Sequence, residues 1–450
     1  MSKKLLLIAA MSLFVAGGAF AAVDNIRVSG DVKATGLTRD LSLGSEEGST
    51  LDAEDFLFSQ VRVRIDADLT EGVQAVVRLI NERIWGGDEN DSYQDDRQIE
   101  LDLAYVQLNG FLYDPLTLIV GRQNLYYGNG LIVGDPNTNR ISAKTAQLGV
   151  APFADLSLVK SFDAVRAILD YVPYTIDIIY AKVMENNTNE IDDQTLVGAN
   201  VAYEWASYNG ITEGYIFWTD GRTRGTLQVP ENEDYTLTVG GRAQMDVNDN
   251  LTLGLEGAHQ FGDYLSSASV SAATYDRDAW AAQFIAEYRF LNDYDTKVGF
   301  KYTYLSGDDD PTDGDWEAWD PVFEDQTPAE IINILMANSN AHYYTLTGSF
   351  MPREDITLGM LYTHAILDEN VTTSAGTFSG PSGSPIANNT YAVDRDKTDI
   401  GDEIDLYAIY DYTEDVQIKL TGAVFIPGDF FADSNDSTAY SLRSSLNVEF

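Results

Sequence analysis

The chain has no cysteine, three histidines and few bases, and each shortage removes a class of function. Without cysteine there can be no disulfide framework, thiol nucleophile or thiolate metal site. His259, His342 and His364 form no His-x-x-x-His pair, and no Gly-x-Ser-x-Gly elbow occurs. Gly128-Asn129-Gly130 lacks a following Gly-Lys-Ser, so it reads as a turn rather than a phosphate loop. Lys and Arg number 28 against 71 Asp and Glu, a formal net charge of -43, so no nucleic-acid partner is expected. Long apolar runs are missing after the N-terminal segment, so no transmembrane helix is expected. Neither a catalytic set nor a cofactor motif stands out, and the chain is not read as an enzyme.

What is present begins with an export signal. Lys3 and Lys4 precede the apolar run from Leu5 to Gly17, and Ala19-Phe20-Ala21 offers a small-x-small cleavage site. Residues 1–21 therefore read as a cleaved signal peptide, leaving 22–450 as one domain. In that domain apolar and polar residues alternate from end to end. Between Ile400 and Phe431, Ile404, Leu406, Ala408, Tyr410 and Tyr412 share one face. Thr413-Glu414-Asp415 turns the chain, and Val416, Ile418, Leu420, Gly422, Val424 and Ile426 alternate back. This is an antiparallel hairpin with strands of about ten residues, long enough to cross a bilayer core when tilted.

The same rhythm gives about 18 strands, with short and long connections in alternation. Short turns fall at Thr70–Gly72, Val247–Asn250, Met351–Asp355 and Thr413–Asp415, among others. Long ones include Gly128–Asp155, Ser306–Asn340 and Asp368–Gly401. The fold class is all-β: a transmembrane antiparallel β-barrel with short periplasmic turns and long extracellular loops. Trp85, Tyr126, Tyr127, Tyr171, Tyr174, Trp205, Trp218, Tyr304 and Tyr412 fit interfacial girdles against lipid and lipopolysaccharide. Terminal Phe450 on an amphipathic last strand resembles the signal read by the barrel-assembly machinery. A monomer is expected.

Parity places charge inside. In the second strand Val61, Val63, Ile65, Ala67 and Leu69 oppose Gln60, Arg62, Arg64, Asp66 and Asp68. An arginine facing mid-bilayer lipid costs about 2–4 kcal/mol, so the charged face is the interior. Arg27, Lys33, Arg62, Arg64, Arg78, Arg242, Lys297, Lys301, Lys419 and Arg443 are inward bases. Glu82, Glu256, Glu403 and Asp405 are inward acids. A ladder of arginines in a watery lumen can select anions, or it can pair with the acids and brace the wall. The loop run Asp308, Asp309, Asp310, Asp313 and Asp315 suggests bound calcium, or a solvated loop, because its spacing is not that of the twelve-residue calcium loop. Downstream, Thr327-Pro328-Ala329-Glu330 reads as a capping box opening a short helix over Ile331, Ile332, Leu335 and Met336. Those apolar residues need cover from other loops or from the barrel mouth.

Several stretches in order resemble the alginate-export family of outer-membrane porins. They are Gly121-Arg122-Gln123 running into Tyr127-Gly128-Asn129-Gly130, then Phe162 to Arg166, Glu256 to Gly262, Ser306-Gly307-Asp308, and Ile400 to Asp429. The resemblance implies an 18-stranded monomeric barrel with an electropositive pore and no cofactor. It also implies pore-lining roles for Arg122, Arg166, Glu256, Gln260, Glu403 and Asp405, although parity leaves the faces of Arg122 and Arg166 open. The expected function is passive diffusion of an anionic polysaccharide or other polar solute. A general or cation-favouring porin, and a surface enzyme or adhesin with a plugged lumen, are the alternatives. The strong acidity of the chain departs from what a polyanion conduit would suggest.

Overall fold

The computed structural model describes residues 25–44, 54–86, 99–137, 154–185, 194–220, 234–265, 274–310, 312–371, 377–379 and 390–450. The segment read as a signal peptide lies outside the described residues. Strands in chain order are β1 Asn25–Asp40, β2 Glu54–Thr70, β3 Val73–Ile84, β4 Glu100–Asn109, β5 Leu116–Asn124, β6 Ser161–Tyr171 and β7 Tyr174–Met184. Next come β8 Gln194–Trp205, β9 Gly210–Asp220, β10 Tyr235–Asp246, β11 Leu251–Leu265, β12 Thr274–Arg289, β13 Lys297–Leu305 and β14 Asp315–Trp316. The last are β15 Ala341–Arg353, β16 Ile356–Ile366, β17 Thr377–Ser379, β18 Thr390–Ala392, β19 Asp399–Thr413, β20 Val416–Pro427 and β21 Ala439–Glu449.

Eighteen of these form one closed antiparallel wall. Each pairs with the next, and β13–β15 and β16–β19 are direct pairs because β14, β17 and β18 stand in long loops. The ring closes where β1 meets β21, from Asp31 opposite Glu449 to Asp40 opposite Tyr440. Phe450 finishes the seam: its N–H donates to the Gly30 carbonyl at 3.0 Å, and its carbonyl accepts from the Gly30 N–H at 2.8 Å. Closure leaves no edge strand, the condition for a sheet to lie in lipid.

Alternation sorts the faces as the sequence predicts. Val28, Ile65, Val77, Val239, Leu255, Leu346, Leu406 and Leu446 are exposed on the outer wall. Their inward neighbours Gln60, Glu256, Gln260, Thr345, Asp405 and Ser441 are buried. At the short-turn end Tyr171, Tyr174, Trp205, Tyr294 and Tyr412 stand exposed in an aromatic rim.

The barrel encloses a packed core. Inward alanines Ala164, Ala181, Ala258, Ala279, Ala281, Ala365 and Ala423 are buried in one cluster with Leu131, Ile132, Val322, Phe323, Ile332 and Leu335 from two loops. Small inward side chains leave the volume that the loops occupy. Placing leucine at Ala281 should overpack this contact by about 1–3 kcal/mol. The expected outcome for Ala281→Leu is higher single-channel conductance from a displaced loop, with the barrel's heat-modifiable gel mobility retained. Unchanged conductance in an intact barrel would show that no loop rests on this face.

Candidate functional site: a lumen gripped around two infolded loops

The loop after β5 and the loop after β13 both turn inward and meet. Phe323 donates its N–H to the Ile132 carbonyl at 3.0 Å, and its own carbonyl accepts from Gly134 and Asp135 at 2.7 and 3.0 Å. The Gln326 amide donates to the Asn129 carbonyl, and Lys160 pairs with Asp325. Phe162 of the wall packs edge-on against Phe323 at 5.8 Å. A loop turned away from water must satisfy its backbone groups, and wall side chains supply the partners.

Carboxylates do most of this work. Glu403 accepts from the N–H groups of Ile331 and Ile332 at 2.6 and 2.7 Å, and Asp405 accepts from Glu330 N–H at 3.1 Å. Arg443 donates to the Glu330 carboxylate at 2.9 Å, and Thr363 to the Pro328 carbonyl at 2.9 Å. Across the lumen, Glu256 accepts from Asn129 N–H at 3.1 Å and from the Tyr215 hydroxyl at 2.8 Å. Gln260 and Asp320 exchange two hydrogen bonds, at 2.7 and 2.9 Å. Glu82 accepts from Gln60, Ser157 and Leu158 at 2.7, 2.7 and 2.8 Å.

The expected helix is present but short. It spans Ile332–Leu335, one turn, with no side-chain cap. The predicted capping box does not form, because Glu330 turns to Arg443 and the wall residue Glu403 takes the first free N–H groups of the turn. Cover for the apolar residues comes from the lumen and the neighbouring loop.

The inward arginines are braced by acids. Arg62 pairs with Asp31 at 2.8 Å, Arg64 with Asp66 at 2.8 Å and Arg78 with Asp102 at 2.5 Å. Arg166 pairs with Asp177 and Arg242 with Glu213, both at 2.5 Å. Arg166 faces the lumen, 5.7 Å from the Tyr127 ring centre. Arg122 does not. It sits opposite Asp163, two places from the Val120–Val165 pair on the lipid-facing side, and binds Asp163 there at 2.9 Å. The register across β5 and β6 fixes this face, and spacing within one strand could not. Tyr126 and Tyr127 leave the predicted girdle as well. Both belong to the infolded loop, where Tyr127 is buried against Phe217 at 5.2 Å.

Four of the inward bases read from parity are brought together by the ring closure, which spacing along the chain does not show. Lys33, Lys419, Arg62 and Arg443 stand on neighbouring strands β20, β21, β1 and β2, close enough for the other three charges to act on Lys33. Lys419 lies 5.5 Å from the Tyr407 ring. Lys301 faces the infolded Glu324 across a small internal cavity.

The acidic run holds its own loop together. Asp310 accepts from the Thr312 N–H and hydroxyl, and Asp313 from Asp315 N–H. Burial and the charges of Asp313 and Asp309 push the Asp308 carboxyl upward. Among the described residues no group of three His, Asp or Glu could hold a metal ion. The three histidines all lie on the outer wall, each against an aspartate: His259 on Asp278, His342 on Asp368 and His364 on Asp402.

The seat of the second loop contains a titratable group. Burial pushes the Glu324 carboxyl up to about 8, with Asn338 donating to it at 2.8 Å. Burial likewise raises Asp135, in the first loop, to about 6. Glu324 in place keeps its proton up to about pH 8, and in water it would lose it near 4.5. The seated loop thus holds the extra proton between those values, and its packing weakens as pH rises through them. Open-channel dwell time should therefore lengthen from the lower to the upper end of this window, and Glu324→Gln should flatten the dependence. Removing the opposite grip with Glu403→Ala should expose the segment 306–340 to added protease and raise conductance. Conductance and cleavage matching the parent protein would show that Glu403 does not hold the loop.

A closed barrel of eighteen antiparallel strands, apolar outside and polar within, defines an outer-membrane channel of the porin class. The chain belongs to the alginate-export family, whose profile, Alginate export, matches residues 26–443. No curated protein matches the chain in sequence. Among solved structures it is similar to OccAB2 of Acinetobacter baumannii, at TM-score 0.56 and 13% identity over 96% of this chain and 99% of that one. It is similar to OccK11 (OpdR) of Pseudomonas aeruginosa at 0.55 and 12%, over 96% and 97%. OccK2 (OpdF) of Pseudomonas aeruginosa, solved in complex with glucuronate, is similar at 0.53 and 10%, over 95% and 98%.

Proposed function

We propose that the barrel passes anionic polar solutes, either a uronic-acid polysaccharide or smaller carboxylates, by diffusion past the infolded loops. The observation that carries this reading is the basic strip across β20, β21, β1 and β2. Arg62 and Arg443 there are balanced by Asp31 and Glu330. Lys33 and Lys419 stand beside them without an ion pair of their own among the described residues, with Asp31 and Glu330, already paired to the arginines, acting on them from further off. A strip of fixed positive charge with low-dielectric walls raises the local concentration of anions. Family membership supports the polyanion end of this range, and the acidic loops weigh against it. Residues 1–21 act in this reading as a leader removed on export, Phe450 as the assembly mark, and the barrel as a monomer.

Reversal potential under a salt gradient in planar bilayers tests the proposal. Anion preference is expected, and Lys33→Gln with Lys419→Gln should lower it without changing barrel assembly. Cation preference in the parent protein would replace this reading with the cation-favouring porin. An absence of conductance that persists when 306–340 is deleted would favour a plugged surface protein.

A further inference from the structure

A second polar site lies away from the basic strip, at the long-loop end of the wall. Strands β9 to β12 and the segment 316–321 of the infolded loop enclose a cleft of about 200 Å³. Arg277 of β12 lines it, and only 4% of its side chain is exposed. Its Nε and Nη1 atoms are buried and have no hydrogen-bond partner. The nearest carboxylate, Asp320, stands 3.8 Å from Nη2, beyond hydrogen-bond length. The guanidinium is instead positioned over the Tyr264 ring, 5.5 Å from its centre. Tyr264 in turn stacks on Trp316 of the loop, with centroids 4.0 Å apart and planes at 23°.

A desolvated donor pair without acceptors is costly, and a folded chain keeps such a pair where something else supplies the acceptor. The chemistry of the cleft limits what that can be. Asp220, Asp234 and Asp320 also line it, so three carboxylates surround one guanidinium. An anion entering would meet a net negative site and be repelled. A hydroxyl both accepts and donates, so it can accept a hydrogen bond from Arg277 and donate one to a carboxylate. The aromatic pair adds a flat apolar face, which suits the C–H side of a sugar ring. We propose that this cleft is a binding subsite for an uncharged, polyhydroxylated ring, a neutral monosaccharide unit. Its ligand would touch the wall through Arg277 and Tyr264 and the infolded loop through Trp316, so it would bridge the fixed and the folded-in parts of the channel. The site stands independently of the ion preference proposed for the lumen.

Calorimetric titration of the purified full chain in an amine-oxide detergent, which carries no sugar headgroup, tests this. The probes are methyl glucoside, methyl galactoside and methyl mannoside, with glucuronate in parallel. Saturable binding of at least one neutral glycoside is expected, about tenfold weaker in Arg277→Gln and in Trp316→Ala. Trp316→Ala changes only the loop side of the cleft, so it remains informative should the arginine variant fail to assemble. Glucuronate binding without neutral glycoside binding would overturn the assignment, as would neutral binding that both variants leave intact. No binding of any probe would overturn it too, whatever the bilayer measurements show.

Discussion

Every backbone N–H and carbonyl that faces hydrocarbon must find its partner inside the chain, and the rest of this molecule follows from how that is done. The β1–β21 seam, finished by Phe450 against Gly30, turns a sheet with two open edges into a ring with none. Once the backbone is satisfied by its neighbours, side chains alone decide what each face meets. The outer face can then be almost wholly apolar, and the inner face is free to carry charge at no cost in lipid. Two infolded loops bring a second backbone problem into the lumen, since they are not strands and have no ladder to join. The wall answers it with Glu82, Glu256, Gln260, Glu403 and Asp405, whose oxygens accept loop N–H groups in place of water.

The strand plan was legible because period-two alternation is dictated by the same constraint. The eighteen strands, the turn at Glu414 and Asp415, and the inward parity of Arg62, Arg64 and Arg78 all follow from which side of each strand is apolar. What was hidden depends on registers and distances that one strand does not contain. Arg122 could be placed outside only by its pairing with Asp163 on the neighbouring strand. Tyr126 and Tyr127 look like girdle residues because they end a strand, yet the chain beyond them turns inward. The Thr327–Glu330 signal pointed to a real helical turn, but its capping group came from Glu403, 72 positions beyond Ile331.

Alanine was the missed signal for the loops. Ala164, Ala181, Ala258, Ala281 and Ala365 occupy inward places where an open watery channel would favour polar side chains. Their presence, together with the apolar stretch Ile331–Met336 in a loop that has no Lys or Arg from Gly307 to Asn340, marks a wall built to receive something. A sequence reading attentive to small residues at inward parity would have found the packed core.

Pairing changes what the charges mean. Arg62, Arg64, Arg78, Arg166 and Arg242 each sit against a carboxylate, so from the lumen each is closer to a dipole than to a free cation. Replacing one of them would unmask its acid partner, and a loss of anion preference would then report the exposed acid as much as the lost base. Lysine behaves differently here. Lys33 and Lys419 add charge to a wall whose arginines are already balanced, at the cost first of burial and then of repulsion from Arg443, which Asp31 and Glu330 offset in part. The proposed anion passage therefore rests on these two lysines rather than on the paired arginines, since they are the bases of the strip that no salt bridge among the described residues neutralises.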